Sequence, residues 1–331
     1  MIRLVIEDKE FFGFSIDNLS LPYNTIASTF GFSGLDDYSP TPLKFPRVQI
    51  FNDNDLLLTG VIVNQNYSSQ SKPTLVSVSG YSKAGVLEDC TIPLSAMPMQ
   101  LDNMSLKEIC DKLFPLYSIK YTMEEIVKSK MNKKFEKVNF DYDKTIKSII
   151  VQLATERGIY VNHLPNGDVR FTDSSPHNLE VVDHFKDDGV VEMALTVNGQ
   201  EMHSDISVLC SVDDKSVVSG EYTIKNPYIT NIVRPIIYKI KTGDSIDVKE
   251  CARLKLSAEL RAISLTISTT KFIKPGNIIS VQSERLKLKK DTIFFVEKTD
   301  IKADSKGDKY ELTCVLQDVY SKNKVINEFE K

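Results

Sequence analysis

The last third of the chain constrains the fold more than any other part. A helix is predicted over residues 247–262, and strand-like runs follow at 263–272, 278–283, 292–300 and 309–316. A helix followed by a meander of short strands is typical of a closed or half-closed β-module. The sequence here contains no glycine-rich phosphate loop, metal-ligand cluster or nucleophile elbow. The pattern therefore favours a role in shape and assembly over catalysis.

The predicted helix over 247–262 carries a candidate core stripe. Cys251, Leu254 and Ala258 lie close to one helical face, and charged residues such as Arg253 lie elsewhere. We expect the stripe to pack against the strands that follow, with Arg253 toward solvent or a neighbouring subunit.

Residues 1–95 are predicted to be strands with tight turns. Alternating runs at 47–51 and 56–63 flank Asn52 to Asp55, which we interpret as a hairpin turn because a calcium loop would need a glycine and a distal glutamate. A further strand is predicted over 11–16. Its aromatic cluster, Phe11 to Phe14, is interpreted as core rings with one ring at an edge, and an exposed interaction patch is the alternative. Short, regularly spaced strands indicate a barrel or a sandwich.

Residues 96–178 change to a helix–strand pattern that occurs twice. Ser105 and Glu108 form a capping-box signature at the start of the first helix. Asp143 or Thr145 begins the second helix, and Gly158 ends it. The basic run 128–137 between the units is interpreted as a solvated linker, and a phosphate-binding patch is the alternative. Strands resume over 179–331, and the strand that contains Pro235 is predicted to lie at an edge or to be bent. The residues alone thus give an order of β, then α/β, then β.

Bulk composition excludes several classes of protein. The 331 residues carry a net charge of −4, too small to indicate nucleic-acid binding. No apolar run approaches the roughly 20 residues of a membrane helix, and the early acidic residues predict no signal peptide. Five widely spaced cysteines predict reduced, mostly buried thiols rather than a disulfide framework; they are Cys90, Cys110, Cys210, Cys251 and Cys314.

The titratable residues show no catalytic or metal-binding spacing. The four histidines are expected at the surface; they are His163, His177, His184 and His203. Adjacent carboxylates point apart on a loop, so the three acidic pairs are interpreted as turn residues; they are Asp36-Asp37, Asp187-Asp188 and Asp213-Asp214. The sequence therefore assigns no residue to catalysis, to a cofactor or to a metal.

Three segments together resemble one protein family. They are the strand runs from Leu4 to Gly60, the run from Val76 to Cys90, and the last third with residues 251–261, 274–277 and 294–297. In this order they are similar to the baseplate hub proteins of contractile phage tails, the Mu-like tail protein and late-control family. The hub part of type VI secretion spike proteins is a more distant relative. Residues 152–169 also fit, so the resemblance covers nearly the whole chain.

The resemblance implies a β-rich α+β fold and a homotrimer. Two similar β-barrel tube domains, 1–95 and 179–331 with the helix at 247–262, would flank an α/β domain at 96–178. Three chains would form a ring of six barrels that adapts a threefold central spike to a sixfold tail tube. The implied partners are the tail spike protein, the tail tube or distal tail protein, and other baseplate proteins. The implied location is the virion tail baseplate, assembled in the host bacterial cytoplasm.

An enzyme is the alternative to a structural hub. A tail-associated cell-wall or glycan hydrolase would need two carboxylates that face each other across a cleft, or a metal triad. Neither is visible in the sequence, so we expect no enzymatic activity, no cofactor, no membrane association and no specific nucleic-acid binding.

Overall fold

The chain folds into a β-rich structure with few helices. The computed structural model describes residues 2–35, 44–68, 75–138, 140–173, 180–187, 192–211, 218–241, 248–321 and 324–330. Among these residues, no helix is both long and apolar enough to span a membrane.

Where the structure describes it, the first part of the chain forms seven strands. They are β1 (Ile2–Ile6), β2 (Lys9–Phe11), β3 (Ser15–Pro22), β4 (Thr29–Leu35), β5 (Arg47–Asn52), β6 (Asp55–Ser68) and β7 (Leu75–Ser82). Apolar residues at alternate positions point to one face of the sheet; in β1, for example, Ile2, Leu4 and Ile6 are buried. The hairpin predicted at Asn52 to Asp55 is confirmed, because these two residues pair at the end of β5 and β6.

The strand predicted over 11–16 is wrong. β2 ends at Phe11 and β3 begins at Ser15, because Gly13 has a φ of 71° that an extended strand does not adopt. The interpretation of the aromatic cluster is confirmed: Phe11 and Phe14 pack against the core of this part, and Phe12 is 71% exposed.

The middle part combines helices with a small sheet. Its elements are α1 (Val86–Asp89), α2 (Leu106–Leu113), β8 (Tyr121–Met123), α3 (Lys128–Asn132), α4 (Ile146–Glu156), β9 (Ile159–His163) and β10 (Val169–Asp173). The capping box is confirmed: Glu108 N donates to Ser105 Oγ at 3.2 Å, and Ser105 N donates to Glu108 Oε2 at 2.7 Å. Thr145 caps α4. β10 lies between β8 and β9, and the helices pack on this sheet around one apolar core.

The interpretation of 128–137 as a solvated linker is wrong. Its first five residues form α3, and Met131 and Phe135 are buried in the core of the middle part. Lys130 Nζ lies 3.1 Å from Asp173 Oδ1, a carboxylate that is 2% exposed. Arg157 stacks over the Phe135 ring at 4.2 Å from its centroid. Two apolar side chains among the lysines therefore anchor this segment.

The described residues of the last part form nine strands and one α-helix. They are β11 (Val181–Lys186), β12 (Glu192–Val197), β13 (Asp205–Ser211), β14 (Val218–Lys225), β15 (Pro235–Lys241), α5 (Val248–Glu259), β16 (Ile263–Thr269), β17 (Ile278–Ser283), β18 (Leu288–Asp304) and β19 (Gly307–Leu316). β13, β14 and β15 form a separate sheet in the order β14-β13-β15. Pro235 opens the edge strand β15, as predicted.

The helix predicted over 247–262 forms, but its buried face differs from the predicted stripe. Residue 247 lies outside the described residues, α5 spans Val248–Glu259, and a 3₁₀ turn continues to Ala262. Ala252, Leu256 and Leu260 are buried, whereas Ala258 is exposed and Leu254 half-buried. Arg253 does not face solvent: it pairs with Glu250 and donates to Ser321 O at 2.8 Å. The buried face of α5 packs against the β13–β15 sheet and also against strands β17, β18 and β19. These two contacts together set the rotation of the helix about its axis.

One long sheet joins the first and last parts of the chain. Its order is β12-β16-β19-β18-β3-β4-β7-β6-β5-β1-β2, and β17 and β11 branch from β18. Among the described strands this hydrogen-bonded path does not return to its start, so the two barrels that the resemblance implied are not closed within one chain. The core of the first part also includes Ile301 and Tyr310 from β18 and β19. The two strand sets therefore share packing as well as hydrogen bonds.

The same order of strand pairing occurs in both sets. The first set pairs as β3-β4-β7-β6-β5-β1, and the second as β12-β16-β19-β18-β17-β11. Each strand keeps its place along the chain: the first strand of one set corresponds to the first of the other, and so on. One pairing differs, because β1 and β5 are antiparallel whereas β11 and β17 are parallel.

An irregularity in the long strands strengthens this correspondence. β6 pairs with β7 at residues 60–62, shifts register at Val63, and resumes at Asn64. β18 pairs with β19 at residues 294–296, shifts at Glu297, and resumes at Lys298. Because bulges are specific features of a strand, the match aligns residues 60–66 with 294–300.

Candidate assembly surfaces

The shared sheet has one buried face and one polar face. In β4, β7, β16 and β19 the buried residues alternate with short, mostly hydroxyl-bearing residues; the outward positions are Thr29, Gly31, Ser33, Ser77, Ser79, Ser264, Thr266, Ser268, Glu311 and Thr313. Hydrogen bonds cross this face: Ser33 Oγ lies 2.9 Å from Ser77 Oγ, and Asn64 Nδ2 donates to Ser79 Oγ at 3.3 Å. Because these side chains are mostly short and polar, this face of the sheet is hydrophilic and smooth.

Several edges of this sheet have no strand partner in the described part of the chain, among them one side of β12 and one side of β6. β12 pairs on one side only, with β16; we call its other side the β12 edge (Glu192–Val197). β5 pairs with β6 only as far as Val61, so residues 64–66 contact a strand only through β7; we call their other side the β6 edge. Leu195 is half-buried and Val197 is 51% exposed. Edges with exposed apolar residues are sites where another strand can add.

The two strand sets meet where β3 pairs antiparallel with β18. Four consecutive pairs define the contact, from Lys298 opposite Pro22 to Ile301 opposite Leu19. The ladder continues with Tyr23 N, which donates to Glu297 O at 2.7 Å. The two strand sets are thus joined by a regular ladder of backbone hydrogen bonds, and not by side-chain packing alone.

All three parts of the chain contact each other at Tyr320. The rings of Tyr23 and Tyr160 pack edge-on against Tyr320, with centroids 5.5 Å and 5.4 Å away. Glu297 Oε1 accepts from the Tyr320 hydroxyl at 2.5 Å and from Arg261 Nε at 2.8 Å. Burial, and then the Glu297 carboxylate, raise the pKa of Tyr320, so the phenol stays protonated. The carboxylate of Glu297 is committed to these donors, so its role is structural.

A serine–histidine contact ties the first part to the middle part. Ser28 Oγ lies 2.5 Å from His163 Nε2, and His163 Nδ1 lies 3.2 Å from Thr25 O. Because a carbonyl only accepts, Nδ1 carries the proton and Nε2 accepts from the hydroxyl. Desolvation lowers the pKa of His163, and Ser28 has no exposed surface. A hydroxyl with no exposed surface cannot attack a polymeric substrate. This contact is therefore structural, a joint that connects the first part of the chain to the middle part. The expectation that His163 is a surface residue is wrong.

Among the described residues, the other histidines and the members of the acidic pairs do not form a common cluster. His184 is exposed, and His203 Nδ1 lies 2.9 Å from Glu259 Oε1. Asp187 accepts from Ser283 Oγ at 2.5 Å. No group of three potential metal ligands occurs within the described ranges. Residues 36–37, 177, 188 and 213–214 lie outside them.

Among the four cysteines whose side chains are described, Cys110 and Cys314 are fully buried thiols. Burial raises the pKa of Cys110 and of Cys314, which keeps both protonated and unreactive. Cys90 and Cys251 are half-buried. The side chain of Cys210 lies outside the described part. The prediction of buried thiols is confirmed for Cys110 and Cys314.

The fold as a whole matches solved tail proteins. The 43 kDa tail protein of prophage MuSo2 from Shewanella oneidensis superposes with a TM-score of 0.79 at 17% identity, over 96% of this chain and 98% of that chain. A tail protein from Neisseria meningitidis gives 0.78 at 17% identity, over 96% and 97%. A type VI secretion component from E. coli, described as similar to the T4 tail proteins gp27 and gp5, gives 0.58 at 13% identity, over 98% and 79%. No protein-family model and no curated protein matches the chain. The resemblance inferred from the sequence is confirmed at the level of fold.

Proposed function

We propose that this chain is the structural hub of a contractile phage tail baseplate, which adapts a threefold central spike to a sixfold tail tube. The observation that carries the proposal is the match to the fold of a prophage tail protein along nearly the full length of both chains. The partners are a spike protein, a tube or distal tail protein and other baseplate proteins, and the site of action is the virion tail.

The repeated strand order supports the symmetry adaptation. Residues 1–95 and 179–331 act as two related tube domains, since both follow the same sequence of pairings, down to the bulges at Val63 and Glu297. Three chains then supply six such units to one ring. Residues 96–178 form the α/β domain between the two units.

Elements that occur once per chain supply the threefold character. The middle part lies between the two sets, and the β13–β15 sheet with α5 is inserted between β12 and β16. At the corresponding place in the first set, only residues 23–28 connect β3 to β4. A ring of three chains therefore repeats six times along its strands and three times in its inserted elements.

The hydrolase alternative has weaker support. The serine–histidine contact at Ser28 and His163 is the nearest approach to a catalytic pair in the described residues, and it is buried at a joint. Assays on peptidoglycan and soluble glycans should show no turnover, and a measurable rate that Ser28→Ala abolishes would favour the hydrolase.

The hub proposal is tested by mass and symmetry. Light scattering after size exclusion should give three times the chain mass of 37.4 kDa, and end-on electron micrographs should show six lobes within a threefold outline. A species that stays monomeric over a dilution series and in the presence of the cognate spike protein would contradict the proposal.

A further inference from the structure

We propose that the free side of β15 binds an extended segment of a partner protein that is acidic at one end and apolar at the other. The segment adds to the sheet of β13, β14 and β15 as a fourth strand, and we call its binding surface the β15 edge (Pro235–Lys241). This inference goes beyond the proposed hub function and does not depend on it. Because β15 occurs once per chain, each chain offers one such site.

The β15 edge carries backbone groups without a strand partner in the described part of the chain. β15 pairs in parallel with β13 on one side, and no described strand pairs with its other side. Successive residues of a strand direct their N–H and C=O groups to opposite sides, so about half of these groups in β15 point away from β13. Such a row of donors and acceptors is a template for another strand.

Exposed apolar residues are concentrated at the start of this edge. Ile232 and Val233, just before β15, are 53% and 88% exposed, and Ile237 within it is 65% exposed. Proteins commonly protect a free edge with charged residues. The other edge of the same sheet is protected in this way, because Glu221 and Lys225 of β14 are exposed. The start of β15 has no such protection, which marks it as a surface that a partner covers.

Positive charge lies further along the β15 edge. Lys239 of β15 is exposed, and Lys255 Nζ of α5 lies 4.5 Å from the centroid of the Tyr238 ring. Tyr238 packs toward α5, so Lys239, the next residue, points to the opposite face of the sheet. The two lysines therefore flank the edge on both faces, and two consecutive acidic residues of an added strand can each contact one of them.

Nearby carboxylates are already engaged within the chain. β15 itself contains no acidic residue. Asp205 of β13, opposite Pro235, accepts from Ser204 Oγ at 2.7 Å. Glu259 of α5 is buried and accepts from the backbone N of His203 at 2.8 Å. The positive charge along β15 is thus complementary to a partner that brings its own carboxylates.

These features predict the order of residues in the partner segment. The residues opposite Tyr238 and Lys239 are acidic, and those opposite residues 234–237 are apolar or small. An antiparallel segment therefore runs from its acidic end to its apolar end, and a parallel segment runs the other way.

Synthetic peptides test the predicted chemistry on the full chain. The probe is a blocked, fluorescently labelled peptide of two glutamates followed by valine, threonine, valine and valine, together with the peptide of reversed order. Fluorescence polarisation should show saturable binding of one of the two. Replacing both glutamates with lysine should weaken that binding by about tenfold. Failure of both probes to bind overturns the proposal.

Backbone methylation distinguishes strand addition from binding by side chains alone. In an added strand, alternate residues direct their N–H groups to β15, and the others direct them away. Two versions of the binding peptide, N-methylated on one or the other alternate set, should therefore differ: one loses binding and the other keeps it. Equal behaviour of the two versions overturns the strand addition.

A charge exchange locates the peptide on the β15 edge. Lys239→Glu should weaken binding of the acidic peptide by about 3- to 10-fold and strengthen binding of the lysine peptide. Lys225→Glu is the matched control, because Lys225 is exposed on the opposite edge of the same sheet, and it should change neither affinity. Equal effects of the two variants would show unspecific attraction of charge and overturn the proposal.

A last variant separates this inference from the proposed function. Ile237→Lys should abolish peptide binding and leave both the circular dichroism spectrum and the mass of the assembly unchanged, because Ile237 is exposed in the single chain. Dissociation of a trimer by this variant would place a second copy of the chain on the β15 edge, which overturns the partner and leaves the hub standing. A monomeric wild type that binds the peptide with the predicted methylation pattern contradicts the hub and supports the β15 edge.

Discussion

Truncating Leu256 tests the packing of α5. This side chain is 1% exposed and lies in the core that includes Ile206 of β13 and Phe295 of β18. Burying a leucine stabilises a fold by about 1.5–3 kcal/mol, and truncation leaves a cavity on top of that loss. We therefore expect Leu256→Ala to lower the free energy of unfolding by about 2–5 kcal/mol.

Leu254→Ala provides the matched control on the same helix. Leu254 is half-buried, so its truncation removes less buried surface and leaves no closed cavity. We expect a loss of less than half that of Leu256→Ala. The comparison cancels the change in helix propensity, because both variants replace leucine with alanine in a helix interior.

Urea unfolding followed by circular dichroism measures both variants against wild type. The midpoint should fall further for Leu256→Ala, with a similar slope for all three proteins. If Leu254→Ala proves the more damaging change, the helix presents the stripe predicted from the sequence, and the packing described for α5 is refuted.

Three further changes probe other joints of the fold. Gly276→Ala should destabilise the protein by about 1–3 kcal/mol, because Gly276 has a φ of 95° and a Cβ there would lie 2.9 Å from the Tyr23 ring; thermal melting checks this, and an unchanged melt would contradict it. Desolvation lowers the pKa of His163, so the unfolded chain takes up this proton first, and stability should fall as pH drops below about 6.5. His163→Gln should flatten that pH dependence in urea titrations, and an equal slope in both proteins would refute the assignment. Ser105→Ala removes the cap of α2 and should cost about 1 kcal/mol; Ser148→Ala, on the exposed side of α4, is the comparison and should cost less.

Local signals in the sequence predicted local structure well. The capping box at Ser105 and the hairpin at Asn52 to Asp55 depend on neighbouring residues alone, and both formed as predicted. Gly13 was the exception, since its left-handed backbone divides an aromatic run that reads as one strand. A glycine within an apolar run is compatible with either outcome, and the fold decides between them.

Contacts between distant segments could not be predicted from local patterns. The rotation of α5 depends on a second sheet on its other side, so a single apolar stripe was the wrong criterion. The joint between Ser28 and His163 spans 135 residues, and nothing adjacent to His163 signals it. The lysines around Met131 led to the wrong prediction of a solvated linker, because exposed charged residues and buried apolar residues alternate in this segment.

The repeated strand order was equally hidden from sequence comparison within the chain. Gly60 aligns with Phe294, and Asn64 with Lys298, so the two sets share pairing without sharing residues. What they retain is the alternation of buried and outward positions: Val76 and Val78 align with Tyr310 and Leu312, all of them buried. Backbone ladders tolerate such substitutions provided that each residue keeps its face.

The continuous ladder at β3 and β18 has a mechanical consequence. Hydrogen bonds of an antiparallel pair run perpendicular to the strands, so tension along the strand axis loads the bonds between residues 298–301 and 19–22 together, in shear. Tension across the strands would instead break them one after another, as in unzipping. β18 also continues past this contact to pair with β17 and β19. Tension along the strands is therefore transmitted from one set to the other by hydrogen bonds that share the load and must break together.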